Sequence, residues 1–145
     1  MGKRALPVLL LLAAGSGHAL DAARLMPDLT WEKRVLLVFV PDEQNAGYQR
    51  QQAILQAIKG GLSERDMTVI RAFADDHVVV DEQSHAQSAA SFYQRYTVIS
   101  DEFRVILVGK DGTIKLDRES AVSGDDLFSL IDSMPMRRQE MLQDG

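Results

Sequence analysis

The 145-residue sequence contains no cysteine. Thiol–disulfide exchange and thiol peroxidase chemistry need a thiolate, which neither a hydroxyl nor a carboxylate replaces. Both activities are excluded. The same absence leaves no attachment residue for an N-terminal lipid. It also removes the disulfides that staple many small exported domains, so packing alone must hold this one together. Basic charge is in deficit, 16 Lys and Arg against 21 Asp and Glu, with no basic run. That balance argues against nucleic acid and against anionic membrane surfaces as partners. After the first 14 residues no apolar stretch approaches the ~20 residues of a membrane span.

What is present begins with an export pattern. Lys3 and Arg4 precede an apolar segment from Ala5 to Ala14, and Gly17 and Ala19 supply small residues at the −3 and −1 positions. The expectation is a signal peptide over 1–19, cleaved before Leu20, and a periplasmic or secreted product with no stable span after cleavage. Taking 19 residues from 145 leaves 126, and losing Lys3 and Arg4 leaves 14 basic residues against 21 acidic, a net charge of −7. Residues 20–145 are long enough for one domain that buries about two-thirds of its unfolded surface.

Apolar periodicity divides that domain into alternating elements. Val35 to Val40 is apolar throughout, as a central strand covered on both faces requires. A helix is expected from about Asn45 to Lys59, ended by Gly60-Gly61. Met67 to Ala72 reads as a second strand, parallel to the first through a right-handed crossover. Val78-Val-Val80 is a short strand or a packed loop, and Ser84 to Arg95 a second helix. Phe103 to Val108, Asp111-Gly112 and Thr113 to Leu116 form a hairpin whose two turn residues both tolerate positive φ. Ser123 caps a last helix that Pro135 stops near Met134, and Met136 to Gly145 is a polar, charged tail, either helical or frayed. The order β-α-β-α-β-β-α is that of an α/β thioredoxin-like sandwich, a central mixed sheet flanked by helices.

Four segments carry a more specific likeness: Trp31 to Phe39, Leu62 to Met67, Val108 to Gly112 with Lys115, and Leu130 to Met141 with its Met-Pro-Met-Arg-Arg-Gln-Glu-Met string. Together they resemble a thioredoxin-like domain-of-unknown-function family of bacterial exported proteins, related to domains of vertebrate sushi-repeat and matrix-associated proteins. The resemblance covers Trp31 to Met141. It implies a thioredoxin- or peroxiredoxin-like fold with no established catalytic residues and no cofactor. A thioredoxin would carry its cysteines after the first strand, where this chain reads Pro41-Asp-Glu-Gln-Asn-Ala46. It would carry a cis-proline near Glu102-Phe-Arg104, where this chain has none.

The leading functional expectation is therefore a non-redox binding or accessory domain for an envelope or extracellular protein or a small ligand. Its ligand-facing surface is expected around Asp42, Tyr48 and Arg104, although Asp42, Glu43 and Asn45 equally serve as helix caps. The alternatives are a hydrolase-like enzyme using His77 or His85 with nearby carboxylates, and a self-associating envelope protein. The acidic stretch around His77 matches no metal-site spacing and no EF-hand pattern, and no metal or other cofactor is expected. No serine lies in Gly-x-Ser-x-Gly. Trp31, Tyr48, Tyr93 and Tyr96 read as core rather than as a groove. Arg137 and Arg138, with Lys110 and Lys115, form either a basic patch for a carboxylate or phosphate or cations serving a helix C-terminus, the plainer account.

Overall fold

The computed structural model describes residues 19–144, so residues 1–18, which hold nearly all of the expected signal peptide, lie outside the described residues. Its centre is β1, Arg34–Val40, buried at every position. Seven residues without polar alternation suit a strand covered on both faces. Leu36, Val38 and Val40 enter one core, while Val35, Leu37 and Phe39 enter the other. Each such side chain contributes about 1.5–3 kcal/mol when fully buried. On one side β2, Met67–Phe73, pairs parallel with β1. On the other, β5, Arg104–Val108, pairs antiparallel and is followed by β6, Ile114–Arg118. Two three-residue strands, β3 (Val78–Val80) and β4 (Gln83–His85), extend the β2 edge, giving the order β4-β3-β2-β1-β5-β6.

Helices cover both faces. Helices α1, Ala22–Leu29, and α4, Ala89–Tyr96, supply Ala22, Met26, Ala89 and Phe92 to the core beneath Leu37. On the opposite face lie α2, Ala46–Ala57, α3, Lys59–Glu64, and α5, Gly124–Asp132. They contribute Tyr48, Leu55, Leu62, Leu127 and Ile131. The last helix, α6, spans Pro135–Asp144. Leu20, the expected first residue after cleavage, is tied to α4 by its N–H donating to Ser88 Oγ (2.6 Å).

Several local expectations need correction. Gly60 and Gly61 do not end a helix. The break falls at Ile58, and α3 runs through both glycines. At Gly61 the reason is space, because a Cβ there would lie 2.5 Å from the Phe128 ring. The Asp111-Gly112 turn places only Gly112 at positive φ (82°). Gly109 and Thr113 close a three-residue loop, so this is a type I turn with a glycine bulge rather than two left-handed residues. The second helix starts at Ala89 instead of Ser84, because Gln83–His85 pairs with β3 and the Asp76 carboxylate caps the helix by accepting from Ala89 and Ala90 N–H. Pro135 opens a helix, a position where its missing N–H costs nothing. Helix α1, unforeseen in the sequence, is capped by Asp21.

Candidate functional site

At the C-terminal end of β1 the chain leaves the sheet through Pro41 and enters α2 at Asn45. Asp42 Oδ1 accepts from Gln44 N–H (2.8 Å). Asn45 Oδ1 accepts from Tyr48 N–H (3.0 Å), and Gln49 Nε2 donates to Glu43 O. Of these, Asn45 satisfies a free amide of α2, as a polar residue before a helix usually does, while Asp42 closes the turn just ahead of it. Beside them Val40, Pro41, Asp42, Glu43, Phe73 and Asp75 line a small cavity of about 190 Å³. Three carboxylates at its rim make it acidic.

The three residues expected to face a ligand have different surroundings. Asp42 is exposed. Tyr48 is turned into the core, edge-on to Phe73, and its hydroxyl accepts from Arg71 Nη1 (3.3 Å). Arg104 makes a two-pronged pair with Asp117 (2.8 and 2.6 Å) and reaches Glu102 (3.1 Å). These hydrogen bonds, Asp117 foremost, raise its pKa. Phe103, next to Arg104, packs on the first turn of α2, where its ring would stand 2.8 Å from a Cβ at Gly47. Tyr48 leans toward β2 and Arg104 toward β6, so the two side chains diverge.

His77 Nδ1 lies 2.5 Å from Asp75 Oδ1, and its ring stacks on Phe73. The hydrogen bond from His77 is the main reason the Asp75 carboxyl titrates below its ordinary range. His85 sits on β4 opposite Val78. Among the described residues no three His, Asp or Glu side chains are grouped to hold one metal ion. Tyr93 and Tyr96 pack against Phe39 as expected of core residues, and burial pushes the Tyr93 phenol up to about 12. Trp31 departs from that expectation, being 63% exposed with a left-handed backbone (φ 72°).

The opposite pole holds the densest cluster of ion pairs among the described residues. Arg34, 1% exposed at the start of β1, donates to both carboxylate oxygens of Glu140 (3.2 and 3.0 Å) and to Arg65 O. Lys110 Nζ bridges Asp66 (2.8 Å) and Glu140 (2.7 Å). Arg65 grips Asp132 with two bonds and lies over the Phe128 ring. Arg137 reaches Asp132 and Glu64 (3.1 and 3.0 Å). Arg137 is therefore neither a surface patch with Lys110 nor a cation at a helix C-terminus, since it is 2% exposed in the first turn of α6. Burial alone would raise the Glu140 carboxyl and lower the Lys110 ammonium. The pairing with Arg34, Lys110 and Asp66 outweighs it, so Glu140 is held down and Lys110 up. Asp132 is lowered chiefly by its bond from Arg65. All four segments that carry the sequence likeness meet here, through Arg34, Glu64 to Asp66, Lys110, and Asp132 to Glu140. Sequence reasoning missed this cluster because its members are far apart along the chain.

A family model described as "Domain of unknown function (DUF4174)" matches residues 25–140. The chain is 28% identical over 128 residues to zebrafish (Danio rerio) coiled-coil domain-containing protein 80, covering 77% of this chain and 15% of the relative. It is 27% identical over 129 residues to human sushi repeat-containing protein SRPX2, covering 85% of this chain. Rat sushi repeat-containing protein SRPX is 29% identical over 125 residues, covering 83%. The match takes up only 27% of each sushi-repeat protein's length. Among solved structures, the reduced 2-Cys peroxiredoxin of Plasmodium vivax superposes with a TM-score of 0.60 at 14% identity, over 78% of this chain and 83% of that one. Plasmodium yoelii thioredoxin peroxidase I gives 0.60 at 16% identity, over 78% and 79%. At such identities the likeness establishes the thioredoxin-type fold and nothing of the chemistry.

Proposed function

The chain belongs to the DUF4174 family, and from that premise we propose that it is a non-redox, thioredoxin-like binding domain working outside the cytoplasm. One observation carries the reading. At the junction of β1 and α2, where this fold presents its chemistry, the chain has Asp42, Glu43 and Asn45 in place of any thiol, and no cysteine exists elsewhere to serve. The architecture is retained while its usual reaction is not. The Lys3-Arg4 and Ala5 to Ala14 pattern supports export.

The surface proposed for the ligand is the exposed Asp42 loop together with the adjoining Phe103-Arg104 strand end, with Tyr48 bracing the first turn of α2 from within. The test is capture of partners from the exporting cell's envelope and medium, comparing the wild-type chain with a variant carrying Asp42→Ala, Tyr48→Phe and Arg104→Lys. These changes leave the packing and most of the charge in place. A partner held by the wild type and lost by the variant supports the site. Identical capture by both removes the site from this loop.

A second reading rests on the Asp75–His77 pair at the same pole, which is an acid–base arrangement. A hydrolytic activity that disappears in His77→Ala would favour it over the binding role.

A further inference from the structure

Between β2 and the helices α2 and α3 lies an open cavity of about 360 Å³. Its floor is the core itself. Leu55, Leu62 and Met67 line it and keep 5%, 7% and 8% of their surface, whereas Leu36, Leu107 and Leu127 of the same core keep none. The two-residue period of β2 turns Met67, Val69 and Arg71 to this one face, over about 13 Å of strand. Helix α3 has only six residues and leaves part of that face uncovered.

The walls carry cations that the rest of the fold does not use. Of the fourteen Lys and Arg in residues 19–144, seven form ion pairs. Three of the other seven, Lys33, Lys59 and Arg71, line this cavity. Arg71 donates only to neutral oxygens, Tyr48 Oη (3.3 Å) and Asp81 O (3.2 Å). The carboxylates in the lining are those of Asp81 and Glu82. Three cations against two carboxylates leave one positive charge unbalanced, in a domain that is acidic overall. Strand order holds the signs apart. Lys33 leads into β1, the Asp81-Glu82 turn joins β3 to β4, and β2 runs between them.

This combination discriminates among ligands. A lone small anion gains nothing from the floor, where burial contributes about 25 cal/mol per Å². A neutral apolar molecule leaves the lysines without a partner. A phosphate group, with up to two charges, exceeds the single surplus and meets the repulsion of Asp81 and Glu82. At the ~30 Å³ that a water occupies in the liquid, the volume holds about twelve heavy atoms.

We propose that this cavity binds a small monocarboxylate with an apolar body of about ten carbons. The body lies over Leu55, Leu62, Met67 and Val69. The carboxylate pairs with Lys33 and Lys59, and the charge of Arg71 adds to theirs. Asp81 and Glu82 repel a second negative group. The site is separate from the Asp42 loop, and its test leaves Tyr48 and Arg71 unchanged, so either proposal can fail alone.

The test titrates the full chain with decanoate, read by calorimetry and by amide shifts in NMR. Saturable binding is expected, with the largest shifts at Leu62, Ser63, Met67 and Val69. Decanamide, the uncharged counterpart, is expected to bind about tenfold more weakly, and acetate not measurably. Lys33 and Lys59 are exposed, so Lys33→Gln with Lys59→Gln leaves the packing intact. That variant is expected to bind decanoate about fivefold more weakly, with decanamide affinity and melting temperature unchanged. Decanamide binding as tight as that of decanoate overturns the proposal. So does full affinity for decanoate in the lysine variant, a set of shifts centred on another surface, or the lack of saturable binding.

Discussion

Gly60 and Gly61 are neighbours in α3 with opposite constraints. Nothing lies within 4 Å of a Cβ built on Gly60, whereas at Gly61 the Phe128 ring blocks it at 2.5 Å. Both take helical backbone, so alanine is conformationally welcome at each. Gly60→Ala is expected to stabilise the chain by about 0.4–1 kcal/mol, mainly by restricting the unfolded state. Gly61→Ala should destabilise it by about 1–3 kcal/mol, because Phe128 and the guanidinium of Arg65 over its face must shift. Denaturant midpoints of the two variants give the comparison directly. Equal effects would mean that the ring moves freely. The sequence shows two glycines and suggests a helix end, but space beside a residue 67 positions away in the chain is not a local property.

Among elements, α6 shows the same limit more sharply. Its sequence is polar, and local patterning leaves open whether it is helical or frayed. What orders it is long-range pairing, above all Arg34 with Glu140 across 106 residues. Glu140→Gln leaves Arg34 and Lys110 without their shared carboxylate in a buried setting. The expected loss is about 3–5 kcal/mol in chemical unfolding. Replacing the pair, Arg34→Met with Glu140→Leu, should recover most of it, since an apolar pair carries no desolvation cost. A loss under about 1 kcal/mol for Glu140→Gln would show that water screens the cluster as at an ordinary surface. By contrast β1 and the β5–β6 hairpin were legible beforehand. An apolar run of strand length and an Asp-Gly turn are local signals, although the turn's type waited on which residue took positive φ.

For the whole molecule, no cysteine is available as a cross-link, and ion pairs join distant segments at one pole. Stability is therefore expected to be unaffected by reductant and sensitive to acid. Glu140 and Asp132 titrate below their ordinary values, and Asp111 is held at about 2 by hydrogen bonds from Thr113 and Lys115. A carboxyl depressed in the folded state binds its proton more readily when unfolded. Its contribution is thus complete above about pH 5 and is lost as pH falls through the folded-state value. Unfolding free energy measured with and without dithiothreitol should coincide at neutral pH and fall steadily from about pH 5 toward 2. A flat profile would remove the cluster from any stabilising role. The Asp42 loop was legible as a position, because a strand end followed by capping residues is written locally. That Tyr48 turns inward and Arg104 is held by Asp117 was not.

By itself the sequence determined that no thiol chemistry is possible, that the domain is acidic, and that Val35 to Val40 runs through its centre, since composition and apolar runs are properties of the chain alone. Tertiary structure decided that Arg34, Lys110 and Arg137 are buried partners rather than surface charge. It also decided that Trp31 stands in solvent at the rim of a cavity. Burial depends on which distant segments meet, and no local pattern of residues specifies that meeting.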